Sequence, residues 1–297
     1  DYTTRGPQMK TQELTIDRHM GYAFDFKVRE LKNEPTLQYI RDSWLMAMAE
    51  MDSKQRATWE AIYDKKNEEF LKNPPVGKDL LRWKYQRYVK EYCRTIRSVD
   101  EQVGRLLDYL EEKGVLDNTV IVYTSDQGFL LGEHGLYDKR FMYEESFRTP
   151  LIISCPSLVK KHSVCKELVQ NIDLAPTFLS LAGVEVPKEM SGRSLLPLFK
   201  NGKAENWRNE LYYHFYDYPA VGSVRKHDGI RTKRYKLIHW YGEGSGNDEA
   251  IDFWELYDLK KDVMEVNNVY DNPKYVKVRE VLTVQLEKLR KDVGVTE

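Results

Sequence analysis

Apolar and polar residues change their rhythm along this chain, and each rhythm predicts a different element. From Tyr85 to Lys113 the positions Tyr88, Tyr92, Ile96, Val99, Val103, Leu106 and Leu110 recur at three and four, which predicts one helix with a continuous buried stripe, ended at Gly114. Thr119 to Thr124 is instead a short apolar run rich in β-branched residues, as in a strand covered on both faces of a parallel sheet, and Pro150 to Ser154 is a second run of that kind. Asp173 to Ala182 predicts another helix, with Asp173 capping its first turn and Pro176 early in it. Past Pro197 come Tyr-rich segments, Glu210 to Tyr216, Gly229 to Trp240 and Phe253 to Leu259, separated by turn-rich stretches such as Gly242 to Asn247; these predict an antiparallel sheet. Tyr275, Val278, Leu282, Leu286, Leu289 and Val293 then mark an amphipathic helix whose natural partner is one face of that sheet.

This order predicts an α/β chain. Residues 1–202 read as the C-terminal part of a doubly wound, mixed-sheet domain, and residues 203–297 as a smaller α+β unit with an antiparallel sheet and a terminal helix. Residues 1 to 80, rich in charge, Met and Tyr, predict short helices and loops packed on something larger. The opening Asp1-Tyr2-Thr3-Thr4 has neither a starting Met nor an apolar leader, so a portion of a longer protein is expected, with its targeting signal elsewhere.

Composition narrows the chemistry mainly by exclusion. The 297 residues, 41% hydrophobic and 31% charged, suffice for a buried core, and a net charge of -1 gives no global field for nucleic acid or an anionic membrane. An anionic substrate must therefore be met by local cations. No apolar run reaches the roughly 18 residues of a membrane span. Cys93, Cys155 and Cys165 show no CxxC spacing, so neither a zinc site nor a disulfide framework is indicated, and a single Cys155–Cys165 bridge stays open.

Candidate chemistry begins at Asp126-Gln127-Gly128, which follows the strand through Val122, the end at which open α/β sheets bind ligands. Two oxygen-bearing side chains and a glycine suit a hard cation such as calcium or magnesium better than zinc. The alternative is that Asp126 only begins a tight turn and caps the next segment. The chain continues as Gly128-Phe-Leu-Leu-Gly132-Glu133-His134-Gly135-Leu-Tyr-Asp-Lys139, a glycine-punctuated loop that delivers a His and a Lys.

That string resembles the sulfatase family of the alkaline phosphatase superfamily. In that family a strand ends in Ser-Asp followed by Asn, His or Gln and then Gly, and a Lys thirteen residues after the Asp contacts the sulfate; Asp126 and Lys139 stand at that spacing. The resemblance runs on through Arg148-Thr149-Pro150, Asp173-Leu-Ala-Pro-Thr177, Leu181-Ala-Gly-Val184, Ser191-Gly-Arg-Ser194, Arg231-Thr-Lys-Arg-Tyr-Lys-Leu237 and Leu256-Tyr-Asp-Leu-Lys-Lys-Asp262, over roughly residues 85 to 297. Tyr212 to Pro219 and His227-Asp-Gly-Ile-Arg231 look most like the branch of bacterial N-acetylglucosamine-6-sulfatases acting on glycosaminoglycans.

The resemblance implies a calcium ion held partly by Asp126 and Gln127, and Lys139 on the sulfate rather than merely paired with Asp138. It implies His134 as a contact to substrate or leaving group, against a structural hydrogen-bond role for the same ring. His214, His227, Asp228 and Arg231 become candidates for binding the sugar. The family nucleophile, a formylglycine made from Cys or Ser before x-Pro-Ser-Arg, is not found: Cys155-Pro-Ser-Leu158 lacks the intervening residue and the Arg. It is expected before Asp1, with the remaining calcium ligands, in a missing N-terminal half against which this chain packs; the chain alone is expected to be inactive. The implied substrate is a sulfated saccharide, and the implied location periplasmic or secreted. The rivals are a phosphodiesterase or phosphonate monoester hydrolase of the same superfamily, and a noncatalytic glycan-binding fragment.

Overall fold

The computed structural model describes residues 4–28, 38–219, 221–245 and 249–295; the far end of the expected turn-rich stretch at Gly242 to Asn247 lies outside them. Contacts gather the chain into two compact units, one of Asp1–Thr11, Leu107–Gly128 and Lys139–Glu297, the other of Gln12–Leu106 and Phe129–Asp138.

The second unit is mostly helical. Instead of short pieces it holds α1 (Gln38–Glu50) and the 20-residue α2 (Ser53–Lys72), followed by α3 (Gly77–Glu112), whose last turns belong to the first unit. A reciprocal capping box starts α2: the Gln55 N–H donates to Asp52 Oδ1 at 2.7 Å and the Asp52 N–H to Gln55 Oε1 at 3.0 Å. Phe70 stacks on Trp83 at 4.1 Å, and Trp44 lies 5.4 Å from Trp59. The continuous buried stripe expected on α3 is corrected here: Tyr88 is buried, but Ile96, Val99 and Leu106 are 50%, 43% and 55% exposed. Periodicity identifies the apolar face of a helix; burial needs a partner, which α3 finds near Trp83 and Tyr88 and not along Ile96 to Leu106.

In the first unit, β1 (Ile121–Thr124) pairs with β2 (Leu151–Ser154), Val122 opposite Ile153. The pairing is antiparallel and Tyr123 and Ile152 are 40% and 62% exposed, whereas each run predicts a strand covered on both faces of a parallel sheet. A β-branched run states that a strand tolerates burial on both faces; it carries no information about its neighbour's direction. Helix α4 (Leu174–Leu181) follows, but Asp173 does not cap its first turn. Its fully buried carboxylate accepts the Gln170 N–H and the Arg193 N–H, each at 2.8 Å, and a forked contact from Arg208. All three cysteines are free.

The rest of the unit is an antiparallel sheet in the order β3 (Glu210–Phe215), β4 (His227–Thr232), β5 (Tyr235–Gly242), β6 (Ile251–Asp258), closed by α5 (Val276–Asp292). The segment expected as one run from Gly229 to Trp240 is a hairpin, because Thr232 accepts the Tyr235 N–H at 2.9 Å through Oγ1 and turns the chain at Lys233-Arg234. One sheet face carries Ile230, Leu237 and Leu256, against which α5 buries Leu282 and Leu286, the partnership its stripe predicts. The other face carries the fully buried His227, Lys236, Ile238, Trp240, Glu255 and Tyr257, and the Tyr143 hydroxyl donates to Glu255 Oε2 there at 3.0 Å.

Candidate active site

A cleft of about 1040 Å³ opens in the first unit, lined entirely by residues of that unit. Asp126, Gln127 and Lys139 line it together with Arg148 and Asn171, and its apolar wall includes Leu151, Ile153, Leu195 and Leu198.

Side-chain and backbone bonds fix the Asp126 loop from three sides. The Ser125 hydroxyl donates to Gln127 O at 2.8 Å, and the Gln127 N–H to Asp126 Oδ1 at 3.0 Å. The Asn171 amide donates to Asp126 O at 2.7 Å and to Ser125 O at 3.2 Å. The Gly128 N–H donates to Ser146 O at 2.9 Å, and a Cβ at Gly128 would stand 2.1 Å from Glu145 O. Only glycine permits that approach. Gly128→Ala is therefore expected to cost about 1–3 kcal/mol, read as a lower denaturant midpoint, since a backbone oxygen must shift to admit the methyl; an unchanged midpoint would show that the two segments separate freely.

Asp126 is exposed to the cleft, and among the described residues its Oδ2 has no protein partner. A hard divalent cation takes about six to eight oxygens. The described residues contain no group of three or more His, Cys, Asp or Glu able to hold a metal. The Asp126 carboxylate and Gln127 amide thus fit two positions of a calcium shell and not a whole one.

Lys139 follows Asp138 (φ 73) and precedes Arg140 (φ 89), two non-glycine residues in the left-handed region. Such conformations cost of order 1 kcal/mol or more and persist where surroundings enforce them. The Tyr213 hydroxyl, whose pKa burial pushes up, donates to Arg140 O at 3.1 Å and is one such restraint. Lys139 itself has no ion pair among the described residues, so the expected alternative of a pair with Asp138 is not formed. His134 lies in the other unit, on a turn where it adopts φ 59 between Gly132 and Gly135.

The four expected sugar contacts are not brought together. His227 is fully buried, stacked 4.0 Å from Trp240 with Nδ1 2.8 Å from Arg225 O, and burial pushes its pKa down to about 4, so the ring is neutral and shut away from the cleft. Asp228, 2% exposed, is forked by Arg290 at 2.6 Å through both Nε and Nη2. His214 stands opposite Asp228 on that sheet face, its Nε2 2.6 Å from the Tyr241 hydroxyl, and does not line the cleft. Neighbours on a strand point to opposite faces, so one run of sequence could not deliver His227 and Asp228 to one ligand. Arg231 does line the cleft, yet its guanidinium is held by Glu144 at 3.2 and 3.1 Å.

That pair belongs to a buried cluster unforeseen in the sequence. Lys236 Nζ donates to Met142 O at 2.6 Å and lies 2.9 Å from Glu144 Oε1 and 2.7 Å from Glu265 Oε1, the last a contact of charge without hydrogen-bond alignment. Burial opposes charge on Glu144, but Lys236 and Arg231 outweigh it and hold the carboxyl down at about 2. Glu265 is pushed up to about 7 by burial, which Lys236 only partly offsets.

With this geometry in view, family models match the chain as follows: N-sulphoglucosamine sulphohydrolase, C-terminal, over residues 132–292, and sulfatase over residues 39–184. An N-acetylglucosamine-6-O-sulfatase of Bacteroides thetaiotaomicron is 44% identical over 293 residues, 98% of this chain and 51% of that protein. The solved structure of BT4656 in complex with its substrate D-glucosamine-2-N,6-O-disulfate superposes with a TM-score of 0.87 at 43% identity, covering 98% of this chain and 57% of the other. A phosphonate monoester hydrolase from Silicibacter pomeroyi is more distant, at TM-score 0.58 and 27% identity over 72% of this chain and 41% of that one. The chain thus spans about half the length of the first of these relatives. Among the described residues no helix is long and apolar enough to cross a membrane.

Proposed function

The chain belongs to the sulfatase family, and on that premise we propose that the protein hydrolyses the sulfate ester of a sulfated sugar, an N-acetylglucosamine 6-sulfate of a glycosaminoglycan. The observation that carries this reading is the presence of Asp126, Gln127 and Lys139, at the family's spacing, on the wall of one cleft. Sulfatases generally use calcium and a formylglycine, which supplies the nucleophile that attacks sulfur. In this chain Asp126 and Gln127 would hold part of the calcium shell, and Lys139 would meet the sulfate oxygens as negative charge builds on them. A lysine suits that task because its ammonium is a compact charge with donors and no acceptor. His134, which lies in the other unit, is kept only as the family resemblance gives it, a contact to substrate or leaving group. At the cleft edge Arg231, held by Glu144, is kept as a candidate for the sugar.

In the same reading residues 203–297 are a subdomain attached to a catalytic core to which residues 1–202 contribute. The exposed Ile96, Val99 and Leu106 of α3 are where part of the rest of that core would lie. A periplasmic or secreted location is proposed with it.

The test is release of inorganic sulfate by the full-length protein from N-acetylglucosamine 6-sulfate, with and without chelator, beside a phosphonate monoester and a phosphodiester. Calcium-dependent sulfate release is expected. Preferential turnover of either phosphorus ester would move the assignment to the hydrolases that the Silicibacter structure represents, and no turnover of any of them would leave glycan binding as the function.

A further inference from the structure

Beside the cleft lies a second cavity of about 360 Å³, and Glu144, Arg148 and Arg231 line both. The smaller cavity adds Lys233, Arg234 and Lys260, so its wall presents five cationic side chains and one carboxylate. Three of the cations have partners: Arg231 has Glu144, Lys233 Nζ is 2.6 Å from Glu167 Oε2, and Arg234 spans Asp258 at 2.9 and 2.8 Å. Arg148 and Lys260 are exposed and, among the described residues, in no ion pair. On a flat surface two such cations would need no explanation. In a concave wall their fields add to those of the partnered guanidiniums, and the N–H groups of Arg148 suit the oxygens of a sulfate or carboxylate.

We propose that this cavity is a second anion subsite, which holds a sulfate or carboxylate group on a sugar next to the one in the cleft. It rests on the reading of the cleft as the sulfatase site. The shared wall of Arg148 and Arg231 makes the two cavities neighbours, so one glycan chain reaches both. Arg234 and Lys233 are oriented by their carboxylates and keep exposed faces, while Lys260 adds an exposed charge to the same wall.

The test compares two substrates in the full-length, formylglycine-bearing enzyme: N-acetylglucosamine 6-sulfate alone, and a glycosaminoglycan tetrasaccharide that presents the same terminal sugar followed by sulfated and uronate residues. Lys260→Glu is expected to lower kcat/KM for the tetrasaccharide about tenfold and to leave the monosaccharide within about twofold, with the difference shrinking at high salt. Equal effects on both substrates, or none on either, would overturn the subsite. Tetrasaccharides stripped of internal sulfate, or with uronates reduced to alcohols, tell which anion fills it: whichever loses the discrimination identifies the group. Calorimetric titration with the intact tetrasaccharide needs no turnover. A Kd about tenfold weaker in Lys260→Glu supports the subsite even where the parent enzyme releases no sulfate, an outcome that removes the sulfatase reading alone; an unchanged Kd removes the subsite.

Discussion

Replacing Lys139 with alanine is expected to lower kcat/KM on a sulfate ester by about 10²–10³-fold, the range seen when one donor to developing negative charge is removed, and to leave the melting temperature close to the parent's. The two halves of this expectation have separate grounds. The loss of rate follows if the ammonium meets oxygens whose charge grows along the reaction, in which case kcat falls more than KM rises. The retention of fold follows because Lys139 holds no ion pair among the described residues, so no carboxylate is left stranded. Its strained neighbours Asp138 and Arg140 keep their own restraints. An unchanged rate would remove Lys139 from the site, and a collapsed variant would assign it to the scaffold.

Lys236→Met should have the opposite signature, a loss of about 3–5 kcal/mol of stability at neutral pH, from removing the partner that the buried Glu265 shares with the part-buried Glu144. The pH dependence follows from the two shifts. Glu144, held at about 2 against an ordinary 4.5, stabilises the fold above 4.5, and that contribution is lost as the pH falls through 2. Glu265, raised to about 7, does the reverse: its protonated form is favoured in the folded chain, so its contribution is complete below 4.5 and is lost as the pH rises through 7. Without Lys236 both carboxyls become harder to ionise. The deficit of the variant should therefore be large at pH 8 and shrink toward pH 5, where Glu265 is already neutral. Chemical denaturation at those two pH values reads it, and an equal deficit at both would mean that lost packing, not charge, is what the lysine supplies.

Some of this was legible in the sequence, and the reason is locality. The Asp126 turn and Lys139 sit on one short stretch of chain, so the family resemblance could single them out, and both line one cleft. The face of α5 was legible because helical periodicity and a waiting sheet were both written in the sequence. What failed depended on partners. The stripe on α3 was real as a pattern and wrong as burial, and β1 could not declare the direction of its neighbour. The grouping of His214, His227, Asp228 and Arg231 failed where the period-two rule would have helped: His227 and Arg231 share a phase on β4, and Asp228 has the other. The same rule carried an unread signal for Lys236, a charge in phase with Ile238 and Trp240 on a buried strand face. Asn171, two residues before Asp173, was hidden because its bonds reach back 45 and 46 positions to Asp126 and Ser125.

The Asp126 loop is tied by Ser125, Asn171 and the Gly128 amide, and every tie is from protein to protein. The entropy lost in ordering the loop is therefore met by folding, and a cation or anion arriving at Asp126 has little left to immobilise. Ligand affinity at this wall should respond to substitution of Gly128, which has no side chain to present to the ligand, because such a change transfers the cost of ordering the loop from folding to binding.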